Sequence, residues 1–270
     1  MSSRGYRLFR ALALCLVVLV LVGPLLWMVM ASLKTNVDIH DAERTFSFAP
    51  TLDNYTKVLH QTDYTAFIWN SFLIAAISTV FSSVLGVPAA YAMARFAMHR
   101  EALVVLMARI IPGVSLLVPW YYVFSNLQMV NTYTVMILSH MFVALPLIVY
   151  IMTGYFESIP LELEEAGLVD GLTHIGVFWR ITLPLARAGM ATAGILSFIF
   201  SWNNFMFALV LSGQRTKTLP VAIFDFVGYA STDWGGLMAA ATIVTLPIVI
   251  IALFTQKHIV SGLTAGATKG

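Results

Sequence analysis

The chain has 270 residues, 59% hydrophobic and 10% charged, with a formal net charge of +2. An average soluble domain carries roughly 25% charged residues, so this composition belongs to a chain whose solvent is mostly lipid, and its few, scattered basic residues make no nucleic-acid-binding face. Cys15, the only cysteine, excludes an internal disulfide and a thiolate metal site.

Six apolar segments are long enough to cross a hydrocarbon core, which takes about 20 helical residues. They are 11–33, 66–94, 102–124, 133–153, 189–211 and 237–256. The expected fold is therefore all-α and polytopic, a single transmembrane domain over 1–270. The first segment follows Arg4, Arg7 and Arg10 and outruns the apolar stretch of a signal peptide, about 7–15 residues; it reads as a retained helix. Short cytoplasmic loops collect Lys and Arg. With the N-terminus inside, Arg4, Arg7, Arg10, Arg95, Arg100, Arg180, Arg187, Lys257 and Lys269 are cytoplasmic, against Lys34, Arg44, Lys57, Arg215 and Lys217 outside. Nine against five predicts both termini in the cytoplasm.

The first connector, 34–65, reads as a solvated outer loop. Its Phe48-Ala49-Pro50-Thr51-Leu52-Asp53-Asn54-Tyr55 stretch predicts a proline turn into a short helix capped by Thr51 or Asp53. Asn54-Tyr55-Thr56 matches a glycosylation acceptor, a tripeptide frequent by chance. In the second span Ser82, Gly86 and Ala90 are four apart, the spacing that lets helix backbones approach closely in lipid. Pro112 and Pro119 fall in the third span, Pro146 in the fourth and Pro247 in the sixth; each frees backbone carbonyls, tolerated where neighbouring helices or water satisfy them.

Arg109, inside the third span, has two readings. A charge in the membrane is costly and marks a functional group, or the side chain snorkels to the inner surface or pairs with a neighbour. Trp120, Tyr121 and Tyr122 fit an interfacial aromatic belt, and Tyr121 is also a pathway-lining candidate. In the fifth span Trp202, Asn203 and Asn204 offer an aromatic face and two amides, suited to helix packing or pathway lining ahead of direct substrate contact.

The connector between spans four and five, 154–188, is about 35 residues long, and such loops are more often functional or structured than idle. Pro160 fits a helix N1 position, and Glu162, Glu164 and Glu165 favour the positive end of the dipole that follows. Leu161, Glu165 and Leu168 recur at helical spacing, and Asp170-Gly171 predicts a stop and turn. A second short helix is expected from about Thr173 to Arg180, with Ile175, Phe178, Trp179 and Ile181 as its apolar surface, ended by Pro184.

This connector resembles the EAA loop of bacterial ABC importer permeases, in which E-A-A is followed by three residues, G, nine residues and I-x-L-P. Here Glu165-Ala166-Gly167 leads to Gly171 and then to Ile181-Thr182-Leu183-Pro184 at that spacing. Gly167 departs from the second alanine, a change worth up to about 1 kcal/mol of helix stability. The chain most resembles the carbohydrate-importer permeases related to the maltose transporter, also through Ile111-Pro112, Val118-Pro119, Asn131-Thr132-Tyr133, Trp202-Asn203-Asn204 and the tail 262–270. The resemblance implies the type I permease fold, six transmembrane helices with a cytoplasmic helix–turn–helix. It further implies that Glu165, Ala166, Gly167, Asp170 and Gly171 serve ATPase contact and the turn, while Phe178, Ile181, Leu183 and Pro184 tie the loop to the bundle. Lys269 in the tail is a second candidate contact, against a frayed terminus. The implied partners are a second permease subunit, two ATPase subunits, an extracytoplasmic solute-binding protein and the lipid of the bacterial inner membrane.

No G-x-x-x-x-G-K-[ST] stretch surrounds any lysine, and the six histidines form no His-x-x-x-His pair; P-loop and metalloprotease chemistry have no sequence basis here. The expectation is a non-catalytic subunit with no metal and no cofactor of its own, whose partner ATPase binds ATP and Mg²⁺. Three rival readings remain: the 154–188 helices lying on lipid, a self-contained secondary carrier, which would show internal repeats, and a membrane scaffold.

Overall fold

The structure, a computed structural model, describes residues 4–60, 63–96, 98–108, 110–228 and 231–265. In chain order the helices are α1 (Arg4–Ser32), α2 (Asn36–His40), α3 (Asp53–His60), α4 (Tyr64–Arg95), α5 (His99–Met107), α6 (Gly113–Asn126), α7 (Tyr133–Ser158), α8 (Leu161–Val169), α9 (His174–Val177), α10 (Leu183–Leu185), α11 (Arg187–Trp202), α12 (Met206–Leu211), α13 (Leu219–Ala222) and α14 (Trp234–Ala265). Two 3₁₀ turns, Ala42–Arg44 and Ile223–Phe226, and one π-turn, Phe178–Thr182, complete the set among the described residues. Among the described residues the sole β feature is an isolated bridge between Val227 and Thr232.

Among the described residues four helices are singly long and apolar enough to cross a membrane: α1, α4, α7 and α14. The predicted third and fifth spans are each two helices. Residues 102–124 divide between α5 and α6, because Pro112 has no N–H to carry the helix on and Gly113 begins the next. Arg109 lies outside the described residues. Residues 189–211 divide between α11 and α12, and α11 bends 74° from the helical segment that precedes it, His174–Leu185.

Packing falls into two units, residues 1–65 with 222–247 and residues 66–221 with 248–270. In the first, the 34–65 connector is more ordered than a solvated loop. Thr35 caps α2 by accepting from the Asp38 N–H, and Thr51 Oγ1 accepts from the Asp53 N–H at 3.1 Å, so Thr51 starts α3. Asn54 is buried, and its amide donates to the carbonyls of Ser32 and Lys34, both at 2.8 Å, so that nitrogen holds the start of α3 to the end of α1. Asp233 accepts from Lys57 and Asn36. Burial raises the Asp233 pKa, but these bonds, the Gly236 N–H and the Lys57 charge outweigh it and hold the carboxyl below its ordinary value. Bonds from Thr35 and Arg44 likewise hold Asp38 low.

The second unit is a helix bundle with two apolar clusters. One gathers Val87, Ala90, Ile148, Met152, Phe156, Phe178 and Ala193; the other gathers Ile74, Val135, Met136, Phe207 and Leu211. Ser82, Gly86 and Ala90 are all buried, with Gly86 against Ile148 of α7, which is the close helix approach that the small-residue spacing predicts. Trp120 packs at 5.2–5.4 Å ring separation against Phe124, Phe142 and Phe207. It packs into the bundle, whereas Tyr121 and Tyr122 are exposed. Thr132 caps α7, and the Tyr133 hydroxyl donates to Asn70 Oδ1 at 2.7 Å. The Asn70 amide in turn donates to the carbonyls of Arg215 and Lys217. With Asn131 Oδ1 accepting from the Thr216 hydroxyl at 3.1 Å, these bonds give Asn131-Thr132-Tyr133 a structural role.

Candidate functional site: the helix–turn–helix at 154–188

Helix α7 runs through the membrane-length stretch and on to Ser158, so the connector starts on a rigid stem. Pro160 sits at the N-cap of α8, one position earlier than predicted. The turn after α8 closes through the N–H groups of Asp170, Gly171 and Leu172, which donate to Ala166, Leu168 and Gly167. Gly171 has φ +87°, a left-handed conformation that costs a side-chain-bearing residue roughly 1–2 kcal/mol. Thr173 then caps α9 by accepting from the Gly176 N–H at 3.2 Å.

The second helix does not stop where proline was expected to stop it. After Val177 the backbone widens into the π-turn Phe178–Thr182, and Pro184 sits in the first turn of α10. Proline has no N–H to return to the carbonyl four residues back. The wider turn absorbs that loss, since the Leu183 N–H reaches back to the Phe178 carbonyl. The helical path ends at Ala186, where the chain turns into α11.

The predicted apolar face of this helix divides in two. Phe178 is buried, with its ring 4.9 Å from Tyr91 and 6.4 Å from Phe156, and Leu183 packs on the same cluster. Ile175 and Trp179 point outward, 73% and 61% exposed. Ile181 lies over Gly167, its Cδ1 where a β-carbon at 167 would stand, with Val177 Cγ2 3.3 Å from that point. The glycine that departs from the E-A-A pattern therefore lets Ile181 settle directly on the α8 backbone.

The glutamates of α8 have opposite environments. Glu165 is exposed and Glu164 is buried. Glu164 Oε1 accepts from Arg95 Nε at 2.8 Å, and Oε2 accepts from the Tyr91 hydroxyl at 2.8 Å. A second Arg95 nitrogen donates to the Ile159 carbonyl at 3.1 Å. Thr182 buries its hydroxyl beside the same carboxylate. Burial raises the Glu164 pKa, but the bonds from Arg95 and Tyr91 and the Arg95 charge outweigh it and hold the carboxyl below its ordinary value. Sequence reasoning missed Tyr91, Arg95 and Glu164 as a group. The available signal was the four-residue spacing of Tyr91 and Arg95, which puts both on one helix face.

The pathway candidates scatter. Trp202 is buried and stacks on Phe198 at 5.9 Å. Asn203 donates to its own helix at the Ile199 carbonyl, and Asn204 Oδ1 accepts from the Phe207 N–H at 3.2 Å; the two amides satisfy the backbone at the α11–α12 break. The end of α11 is further held by Ser201, whose Oγ lies 2.7 Å from His140 Nδ1 and 3.0 Å from Ser78 Oγ. Tyr121 is exposed on α6. Lys269 lies outside the described residues. Among the described residues no group of three His, Cys, Asp or Glu side chains could hold a metal ion.

The family model for binding-protein-dependent transport system inner membrane components matches residues 82–265, a stretch that contains the whole helix–turn–helix. The chain is 36% identical over 252 residues to the sulfoquinovosyl glycerol transport system permease protein of Agrobacterium fabrum, covering 92% of this chain and 88% of that one. It is 36% identical over 253 residues to the trehalose transport system permease protein of Mycobacterium tuberculosis, covering 92% of each. Among solved structures, a chain of a bacterial ABC transporter that imports the acidic polysaccharide alginate superposes with TM-score 0.80 at 20% identity, covering 95% of this chain and 98% of that chain. It shares the fold. With more than half its length matched by the family model and with such relatives, this chain belongs to the family of inner membrane components of binding-protein-dependent transport systems.

Proposed function

We propose that this subunit forms half of the translocation pathway of an ATP-driven importer for a saccharide or sugar derivative, and that the 154–188 helix–turn–helix receives the stroke of a separate ATPase. It pairs with a second, different permease chain and two ATPase subunits, takes substrate from an extracytoplasmic binding protein, and has both termini in the cytoplasm. The partner ATPase binds ATP and Mg²⁺; this chain carries out no catalysis. ATP binding closes the motor, displaces the coupling loops and turns the cavity outward, and hydrolysis restores the inward-facing state.

One observation carries the reading. The two short helices are anchored from beneath by Phe178 and Glu164, yet Glu165, Val169 and Ile175 remain exposed, the last two at 88% and 73%. A rigid element with uncovered apolar side chains suits docking into a partner and carrying a rigid-body displacement. The saccharide class is supported by the substrates in the names of the relatives, sulfoquinovosyl glycerol and trehalose.

Gly171→Asp and Glu165→Lys variants are expected to insert normally but to co-purify with less ATPase and to lose uptake. Normal ATPase recovery together with normal transport would remove the assignment of the loop. Calorimetry on the cognate external protein tests the substrate class: binding of an amino acid or a metal ion, with no saccharide bound, would overturn it.

A further inference from the structure

We infer that Glu164, Arg95 and Tyr91 form the link that passes the displacement of the coupling loop into the membrane bundle, distinct from the surface that docks the ATPase. The inference rests on the coupling reading above and assigns positioning residues that act through the loop.

The geometry points to transmission because one side chain joins three elements. Arg95 is the last residue of α4; it grips Glu164 on α8 and donates to the carbonyl of Ile159, the residue that caps α7. Tyr91, one turn earlier on α4, holds the other carboxylate oxygen, and its ring meets Phe178 of the second helix. Both oxygens of Glu164 are thus committed to α4, and both short helices reach α4 through a single turn of it. Exposure of the paired side chains is 10% for Arg95 and 7% for Glu164, so water competes little for the bonds. The remaining carboxylates of α8, Glu162 and Glu165, are exposed and make no such tie. A push on α8 cannot be taken up by local slack without breaking a desolvated ion pair, so it moves the ends of α4 and α7 together.

The test uses the complete transporter, with partner permease, ATPase and binding protein, reconstituted in lipid vesicles. ATP hydrolysis and substrate uptake are measured on the same preparation. Glu164→Gln keeps the size of the side chain and one acceptor but removes the charge. It is expected to retain normal amounts of bound ATPase while uptake per ATP hydrolysed falls at least about fivefold. Tyr91→Phe, which spares the ion pair and covers the case in which Glu164→Gln assembles poorly, is expected to lower the same ratio about twofold. The exchanged pair Arg95→Glu with Glu164→Arg is expected to restore part of it.

An unchanged ratio in Tyr91→Phe and in any assembled Glu164→Gln overturns the inference. So does loss of bound ATPase from Glu164→Gln to the extent seen for Glu165→Gln, since Glu164 would then act in docking. Normal ATPase recovery in Glu165→Gln and Gly171→Asp is a separate outcome that defeats the coupling reading, and this inference with it.

Discussion

The connectors 34–65 and 154–188 are similar in length, and both fold into short helices, yet they are held by different forces. The first is pinned by polar bonds, some buried and some exposed: Asp38 with Arg44, the Asn54 amide on two carbonyls, and Asp233 with Lys57 and Asn36. The second is held from beneath by a phenylalanine in an apolar cluster and a desolvated ion pair, while its outer face keeps Val169, Ile175 and Trp179 uncovered. The first connector also leaves Val37, Phe46 and Leu52 uncovered, so exposed apolar residues alone do not separate the two. What separates them is the anchor: only the second ties its exposed face to a bundle helix through a buried aromatic ring and a desolvated ion pair.

The largest expected effect strikes the inner anchor. Phe178→Ala should lower stability in detergent by about 3–5 kcal/mol, the usual range for emptying a buried aromatic site, as read by thermal unfolding; a loss no greater than that of a surface substitution would show that the loop does not hang on this ring. Glu164→Ala leaves Arg95 buried without its partner and should cost about 3 kcal/mol.

That carboxylate also carries a pH signature. Its folded-state pKa lies below the ordinary 4.5, so its contribution is complete above 4.5 and is lost as the pH falls through the lower folded-state value. Wild type should therefore lose stability on acidification more steeply than Glu164→Gln. Equal slopes would leave the ion pair without measurable weight.

Gly171→Ala should cost roughly 1–2 kcal/mol through the left-handed backbone at φ +87°; an unchanged midpoint would mean the turn relaxes freely. The smallest effect belongs to the first connector. Lys57 is 48% exposed in its pair with Asp233, so Lys57→Met should change stability by less than about 1 kcal/mol. A loss equal to that of Glu164→Ala would erase the contrast between the two connectors.

Legibility followed the physical range of each interaction. Membrane-length helices at α1, α4, α7 and α14 follow from apolar length alone, and the turn at Gly171 from a residue type suited to positive φ. The divided third and fifth spans were not legible from hydropathy, which registers apolar content and is blind to backbone breaks. The break at 203–205 depends on Asn203 and Asn204 taking up backbone groups locally. Pro184 misled for a related reason, since the π-turn accommodates it without ending the helix.

Composition, length and motif spacing are local quantities, and from them the chain reads as helical, lipid-embedded and bearing the spacing of an EAA loop. Which of two adjacent glutamates faces out depends on the fold. Glu164 and Glu165 are the same residue type at successive positions of α8. What separates them is Arg95 and Tyr91, about 70 residues earlier in the sequence, and no local pattern records a pairing made across a fold.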